Sequence, residues 1–142
     1  MNNVLVLNGP NLNRLGSREP EVYGSADFAE LVSRVQSAAA AEGMTADVRQ
    51  TNDEAEMVSW LHEAVDSGSQ VIINPAAFTH YSYSLGDAAA LVTKAGLQLI
   101  EVHISNPHSR EKFRHNSVIS AVATGVIAGF GLESYVLALK AL

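Results

Sequence analysis

Short apolar runs alternate along this chain with longer stretches in which apolar residues recur every three or four positions. The runs are Val4-Leu5-Val6-Leu7, Val71-Ile72-Ile73, residues 97–104 and residues 122–130. Bounded by turn residues, they read as strands buried on both faces. Residues 45–51 predict a further strand, less apolar and so suited to a sheet edge. Between strands, Phe28, Leu31, Val32, Val35 and Ala38 mark one face of a helix that Ser25 or Asp27 caps and Gly43 stops. Met57, Leu61, Ala64 and Val65 mark a second helix, opened by Asp53 with Glu56 in a variant capping box and ended by Gly68. A third is predicted over 82–94, stopped by Gly96, and a last over 132–142, with Leu132, Tyr135, Val136 and Leu139 on one side.

Strands alternating with helices imply right-handed crossovers and a parallel sheet covered on both faces. The fold expected is a flavodoxin-like α/β three-layer sandwich with a five-stranded parallel sheet, one domain over 1–142. Such sheets bind ligands beyond the carboxyl ends of their strands. The polar loops at that end are 8–23, 74–82 and 103–114, whereas the opposite connections are plain helix stops such as Ala41-Glu42-Gly43.

The first loop is long for a compact domain, which marks it as a lid or binding segment. It holds Tyr23 together with Arg14 and Arg18. A phenol serves as a base at neutral pH only where positive charge favours its anion, and either arginine is a candidate source. In the fourth strand, alternation puts Leu99, Glu101 and His103 on one face and Ile100, Val102 and Ile104 on the other. A glutamate inside a buried strand needs a partner, and two residues away His103 is placed to be oriented by it as a general acid. A structural Glu–His or Glu–Arg pair is the alternative. Asn74 offers a donor and an acceptor. His80, taken singly, reads as a helix-cap or core histidine, and Asp87 as a pocket acceptor or a capping residue. Arg110 and Arg114 form either an anion clamp or a solvated face.

Composition narrows these readings. The chain has 142 residues, 47% of them hydrophobic, enough for one sizeable core. With no cysteine, disulfides, zinc–thiolate sites and thiol catalysis are excluded. No apolar run nears the ~18 residues of a membrane span, and Met1-Asn2-Asn3 lacks the pattern of a signal peptide, so no membrane partner and a cytoplasmic location are expected. A net charge of −6 argues against a nucleic-acid partner. Yet five of the nine Lys and Arg (Arg14, Arg18, Arg110, Lys112 and Arg114) fall in two loop-like stretches, which suits a basic pocket for an anionic small molecule. No His-x-x-x-His pair supports a metal site. Gly129-Phe130-Gly131 lacks the rest of a dinucleotide fingerprint, so neither metal nor cofactor is expected.

Taken together, Leu7-Asn8-Gly9-Pro10-Asn11-Leu12-Asn13 with Arg18-Glu19-Pro20 and Tyr23-Gly24, Ile73-Asn74-Pro75-Ala76-Ala77 with Thr79-His80 and Asp87-Ala88, and Glu101-Val102-His103-Ile104-Ser105-Asn106 with Arg110-Glu111 and Phe113-Arg114 resemble the type II 3-dehydroquinate dehydratases. The similarity spans nearly the whole chain. It implies a cofactor-free anti elimination of water from 3-dehydroquinate through an enolate, in the shikimate pathway or quinate catabolism. By resemblance, Tyr23 removes the C2 proton, Arg18 stabilises its anion, Asn11 supports the enolate, and His103, backed by Glu101, protonates the departing hydroxyl. Asn74, His80, Asp87 and Arg114 would hold substrate hydroxyls, and the amides of Ile104 and Ser105 its carboxylate. The resemblance also implies a homododecamer built from trimers, with Asp87 of a neighbouring subunit near the site. Tyr83-Ser84, Gly86 and Glu133-Ser134 depart from the pattern expected of such chains. A non-catalytic binding module for an anionic metabolite is the rival reading.

Overall fold

A computed structural model of the chain describes residues 2–17 and 19–142. Met1 and Arg18 lie outside the described residues. Five parallel strands form one sheet in the order β2-β1-β3-β4-β5, the flavodoxin-like arrangement. They are β1 (Asn2–Asn8), β2 (Met44–Gln50), β3 (Gln70–Asn74), β4 (Leu99–His103) and β5 (Gly125–Ala128). The helices are α1 (Pro20–Tyr23), α2 (Phe28–Ala41), α3 (Glu54–Ser67), α4 (Tyr83–Lys94) and α5 (Glu133–Ala141).

Strand alternation divides the core into two layers. Val4, Val6, Ile72, Ile100 and Val102 face Leu31 and Val35 of α2 and Tyr135 and Leu139 of α5. Leu5, Leu7, Val71, Ile73 and Leu99 face Met57 and Leu61 of α3 and Leu85 and Val92 of α4. Each fully buried side chain of this kind contributes about 2 kcal/mol. The predicted N-caps are formed: Asp27 Oδ1 accepts from the Glu30 amide at 2.9 Å, and Asp53 Oδ1 from the Ala55 amide at 2.9 Å. As its weaker apolar pattern suggested, β2 is an edge strand.

Two details differ from the sequence expectation. First, β4 and β5 are shorter than the apolar runs that announced them, because Leu97 precedes the ladder and Val122 and Ala123 sit in the turn packed on α3 and α4. Second, the first loop is not irregular throughout. Leu12 and Leu15 plug it into the core, and α1 carries Tyr23. As in the sequence reading, where a polar loop follows the fourth strand, the crossover from β4 to β5 has no α-helix. It consists of two short 3-10 turns, Pro107–Ser109 and Lys112–His115, and the turn 117–124. Gly86 accounts for one departure in sequence: a Cβ there would stand 2.9 Å from the Val118 carbonyl oxygen, so glycine lets this turn lie against α4. At another departure, buried Ser134 accepts the Phe130 amide at 3.2 Å and closes the turn into α5.

Candidate active site

At the carboxyl end of the sheet, the loops after β1, β3 and β4 enclose a pocket. Asn11, Tyr23, Asn74, His80, His103, Ile104, Ser105, Arg110 and Arg114 are among its lining residues. Of the described residues to which the resemblance assigns roles, all but Glu101 and Asp87 border it directly. Glu101 lies behind His103. Asp87 sits on the exposed side of α4, outside this subunit's pocket. Arg18 lies outside the described residues.

The base of the pocket is rigid for local reasons. The Gly9 amide donates to the Asn74 carbonyl at 2.8 Å, joining the loops after β1 and β3. Asn11 adopts a left-handed backbone, φ 70°, and its amide donates to Asn52 Oδ1 at 2.9 Å. Asn74 Oδ1 accepts the Ala76 amide at 3.1 Å. This holds Ala76 at φ 52°, a conformation that costs a non-glycine residue about 1 kcal/mol or more. Asn74 Nδ2 donates to the Tyr135 hydroxyl at 2.9 Å, and that hydroxyl donates to Asn8 Oδ1 at 2.6 Å. Tyr135 is fully buried, and burial pushes its phenol far above the ordinary range, so it remains a neutral link. Tyr135→Phe strips both asparagines of a partner in a dry place. It should cost about 2 kcal/mol by urea unfolding and raise KM through the loosened Asn74.

The acid–base groups stand on this base. Glu101 is 1% exposed and accepts the His103 Nε2–H at 2.5 Å. Three hydroxyls also reach the carboxylate: Thr79, Ser117 and Ser120. Burial pushes the Glu101 carboxyl up, but the His103 bond and charge and the Ser120 and Thr79 bonds outweigh it and hold it below the usual carboxylate range. His80 Nδ1 donates to the Asn116 carbonyl at 2.7 Å, which leaves Nε2 as an acceptor. Burial, together with the charge of Arg114, keeps this ring below the usual histidine range, so it is neutral near pH 7.

The arginines divide differently from the sequence expectation. Arg14 is exposed, whereas the guanidinium of Arg110 lies 5.1 Å from the centre of the Tyr23 ring and donates to Ser105 Oγ at 3.2 Å. Arg114 also lines the pocket and donates to Glu111 at 2.9 Å. Sequence reasoning weighed Arg110 only as a clamp. Its position four before Arg114, in the one polar loop that follows a glutamate-bearing buried strand, was the available signal. Ser117, Ser120 and Tyr135 were not singled out as site residues, because their partners are distant in sequence.

A buried carboxylate–imidazole pair and a tyrosine meeting in a pocket rimmed with guanidinium groups define an α/β enzyme equipped for proton transfer on a small molecule. The sequence profile of the family Dehydroquinase class II matches residues 2–142, and the chain belongs to that family. It is 54% identical over 136 residues to the 3-dehydroquinate dehydratase of Salinispora tropica, covering 96% of this chain and 93% of that one. It is 56% identical over 137 residues to that of Mycobacteroides abscessus, with the same coverage. Among solved structures it superposes on the type II dehydroquinase of Propionibacterium acnes with a TM-score of 0.94 at 47% identity, covering 99% of this chain and 94% of that one.

Proposed function

We propose that this chain is a hydro-lyase that converts 3-dehydroquinate to 3-dehydroshikimate, in the shikimate pathway or in quinate catabolism. The observation that carries the mechanism is the convergence of Tyr23 and the Glu101-backed His103 on one pocket. Tyr23 takes the C2 proton, a step in which Arg18 stabilises the developing anion and Arg110 lies over the ring. The C2–H electron pair moves into an enolate that Asn11 supports. Collapse of the enolate breaks the C1–O bond, and the oxygen leaves as water with the proton of His103.

The other lining groups match the substrate's polarity. Asn74, Arg114 and the bare Nε2 of His80 take its hydroxyls, and the amides of Ile104 and Ser105 its carboxylate. An anionic substrate also accounts for a basic pocket on a chain of net charge −6. Asp87, exposed on α4, contributes from a neighbouring subunit in a dodecamer of trimers. Its exposed companions Tyr81, Tyr83 and Leu91 supply an apolar face suited to that contact. No helix among the described residues is long and apolar enough to cross a membrane.

Purified protein given 3-dehydroquinate, with no metal or cofactor added, should generate the ultraviolet absorbance of a conjugated enone. An unchanged spectrum at high enzyme concentration would overturn the proposal.

A further inference from the structure

We propose that Thr79, Ser117 and Ser120 are positioning residues that hold Glu101 as a permanent carboxylate, so that the Glu101–His103 pair stores its proton on the imidazole alone. This deepens the reading above and rests on it for its catalytic meaning.

The argument is a count of protons and lone pairs. An ionised carboxylate offers about four acceptor positions. Oε2 receives Thr79 Oγ1–H at 2.7 Å and His103 Nε2–H at 2.5 Å. Oε1 receives Ser120 Oγ–H at 2.6 Å, and the Ser117 hydroxyl lies astride the two oxygens, 3.1 Å from Oε1 and 3.2 Å from Oε2. A carboxylic acid at this place would have to turn its O–H against one of four donors.

The direction of the Ser117 hydroxyl is itself fixed. Its oxygen accepts the amides of Ile119 at 3.1 Å and Ser120 at 3.0 Å, which uses both lone pairs. Its one proton therefore points outward, towards the carboxylate at 3.1 and 3.2 Å and Thr79 Oγ1 at 2.9 Å. With those lone pairs taken, the neighbouring Thr79 hydroxyl, 2.9 Å away, also directs its proton to Glu101. The turn is clamped in place: the Val118 amide donates to the Thr79 carbonyl at 2.7 Å, and the Ile119 side chain is fully buried.

The charged and titratable groups around the pair are His103 on its own strand, His80 from the turn after β3, and His108, Arg114 and His115 from the loop after β4. No second carboxylate lines this side among the described residues. The chemical consequence concerns the acid step. A carboxylate that can take up a proton drains the imidazole and leaves a neutral pair with a weakened donor. Denied that option, His103 has one destination for its proton, the departing hydroxyl. None of the three hydroxyl residues lines the substrate pocket, so their effect passes through Glu101.

The test is made on ligand-free protein. Glutamate carboxyl carbons are labelled with carbon-13, the Glu101 signal is assigned by its loss in Glu101→Gln, and its shift is followed on acidification. In the parent protein the signal should stay that of a carboxylate below the usual glutamate range of about pH 4. In Ser120→Ala and in Thr79→Val, which keeps the side-chain shape, the midpoint should rise by about one pH unit or more, since each loses a hydrogen bond to a charge. In both, kcat should fall about tenfold with KM within about twofold. Midpoints that stay at the parent value in the folded variants overturn the proposal, even if activity drops, because the hydroxyls would then serve packing only. Because the titration requires no turnover, a chain inactive on 3-dehydroquinate whose midpoints nevertheless move refutes the assigned reaction while leaving the carboxylate cage standing.

Discussion

Tyr23→Phe should lower kcat on 3-dehydroquinate by about 10³-fold while changing ligand affinity by less than about threefold. The ring of Tyr23 is partly buried against the core layer that includes Leu12 and Leu15, and it faces the Arg110 guanidinium. Phenylalanine keeps both contacts and loses only the oxygen. The substitution therefore separates chemistry from binding. Single-turnover kinetics would give the loss in the proton-abstraction step, and calorimetric titration with a non-reactive carboxylate analogue would give the affinity. Turnover at the parent rate would remove Tyr23 from the reaction and favour a different base. Weak binding with no turnover in either protein would favour the rival reading of a binding module.

That experiment bears on the part of the site that the sequence exposed most clearly. The strands of the sheet centre were legible because burial on both faces leaves an uninterrupted apolar run, as in Val4-Leu5-Val6-Leu7. A polar side chain within such a run then stands out. Glu101 was conspicuous for that reason, and strand alternation placed His103 beside it without any knowledge of tertiary structure. Tyr23 was noticeable only as part of an overlong loop. Its ring partner was not foreseeable, since Arg110 comes from a loop after another strand and nothing in spacing selects it over Arg14.

The supporting hydroxyls were illegible for a related reason. Ser117 and Ser120 look like ordinary turn serines, and their importance comes from the absent crossover helix between β4 and β5, which brings that turn onto the glutamate. Tyr135 read simply as one apolar position of a terminal helix. Its hydroxyl meets Asn8 and Asn74, 127 and 61 positions away, and such pairings leave no local period to detect. Arg18 was singled out in the sequence and lies outside the described residues, so its role rests on the proposed mechanism alone.

Gly9→Ala should have the largest effect on the fold, and the reason shows how the site depends on backbone as much as on side chains. A Cβ at this position would stand 2.4 Å from the Pro75 carbonyl oxygen and 2.7 Å from its carbon. Neither atom belongs to a flexible side chain. The two loops are also tied where they meet, because the Gly9 amide donates to Asn74 and the Gly9 carbonyl accepts Gln50 Nε2 at 3.1 Å. Relief of the clash must part the loops after β1 and β3, breaking the amide bond and moving Asn11 and Asn74 apart. Overpacking of this kind, with a lost buried hydrogen bond, should destabilise the protein by about 3 kcal/mol in urea unfolding. In the fraction that remains folded, kcat/KM should fall about 10²-fold, because a displacement of about 1 Å between groups that share a substrate is enough to do so. A variant as stable and as active as the parent would mean that this contact yields cheaply, and that the pocket floor is not the rigid element on which the site's geometry depends.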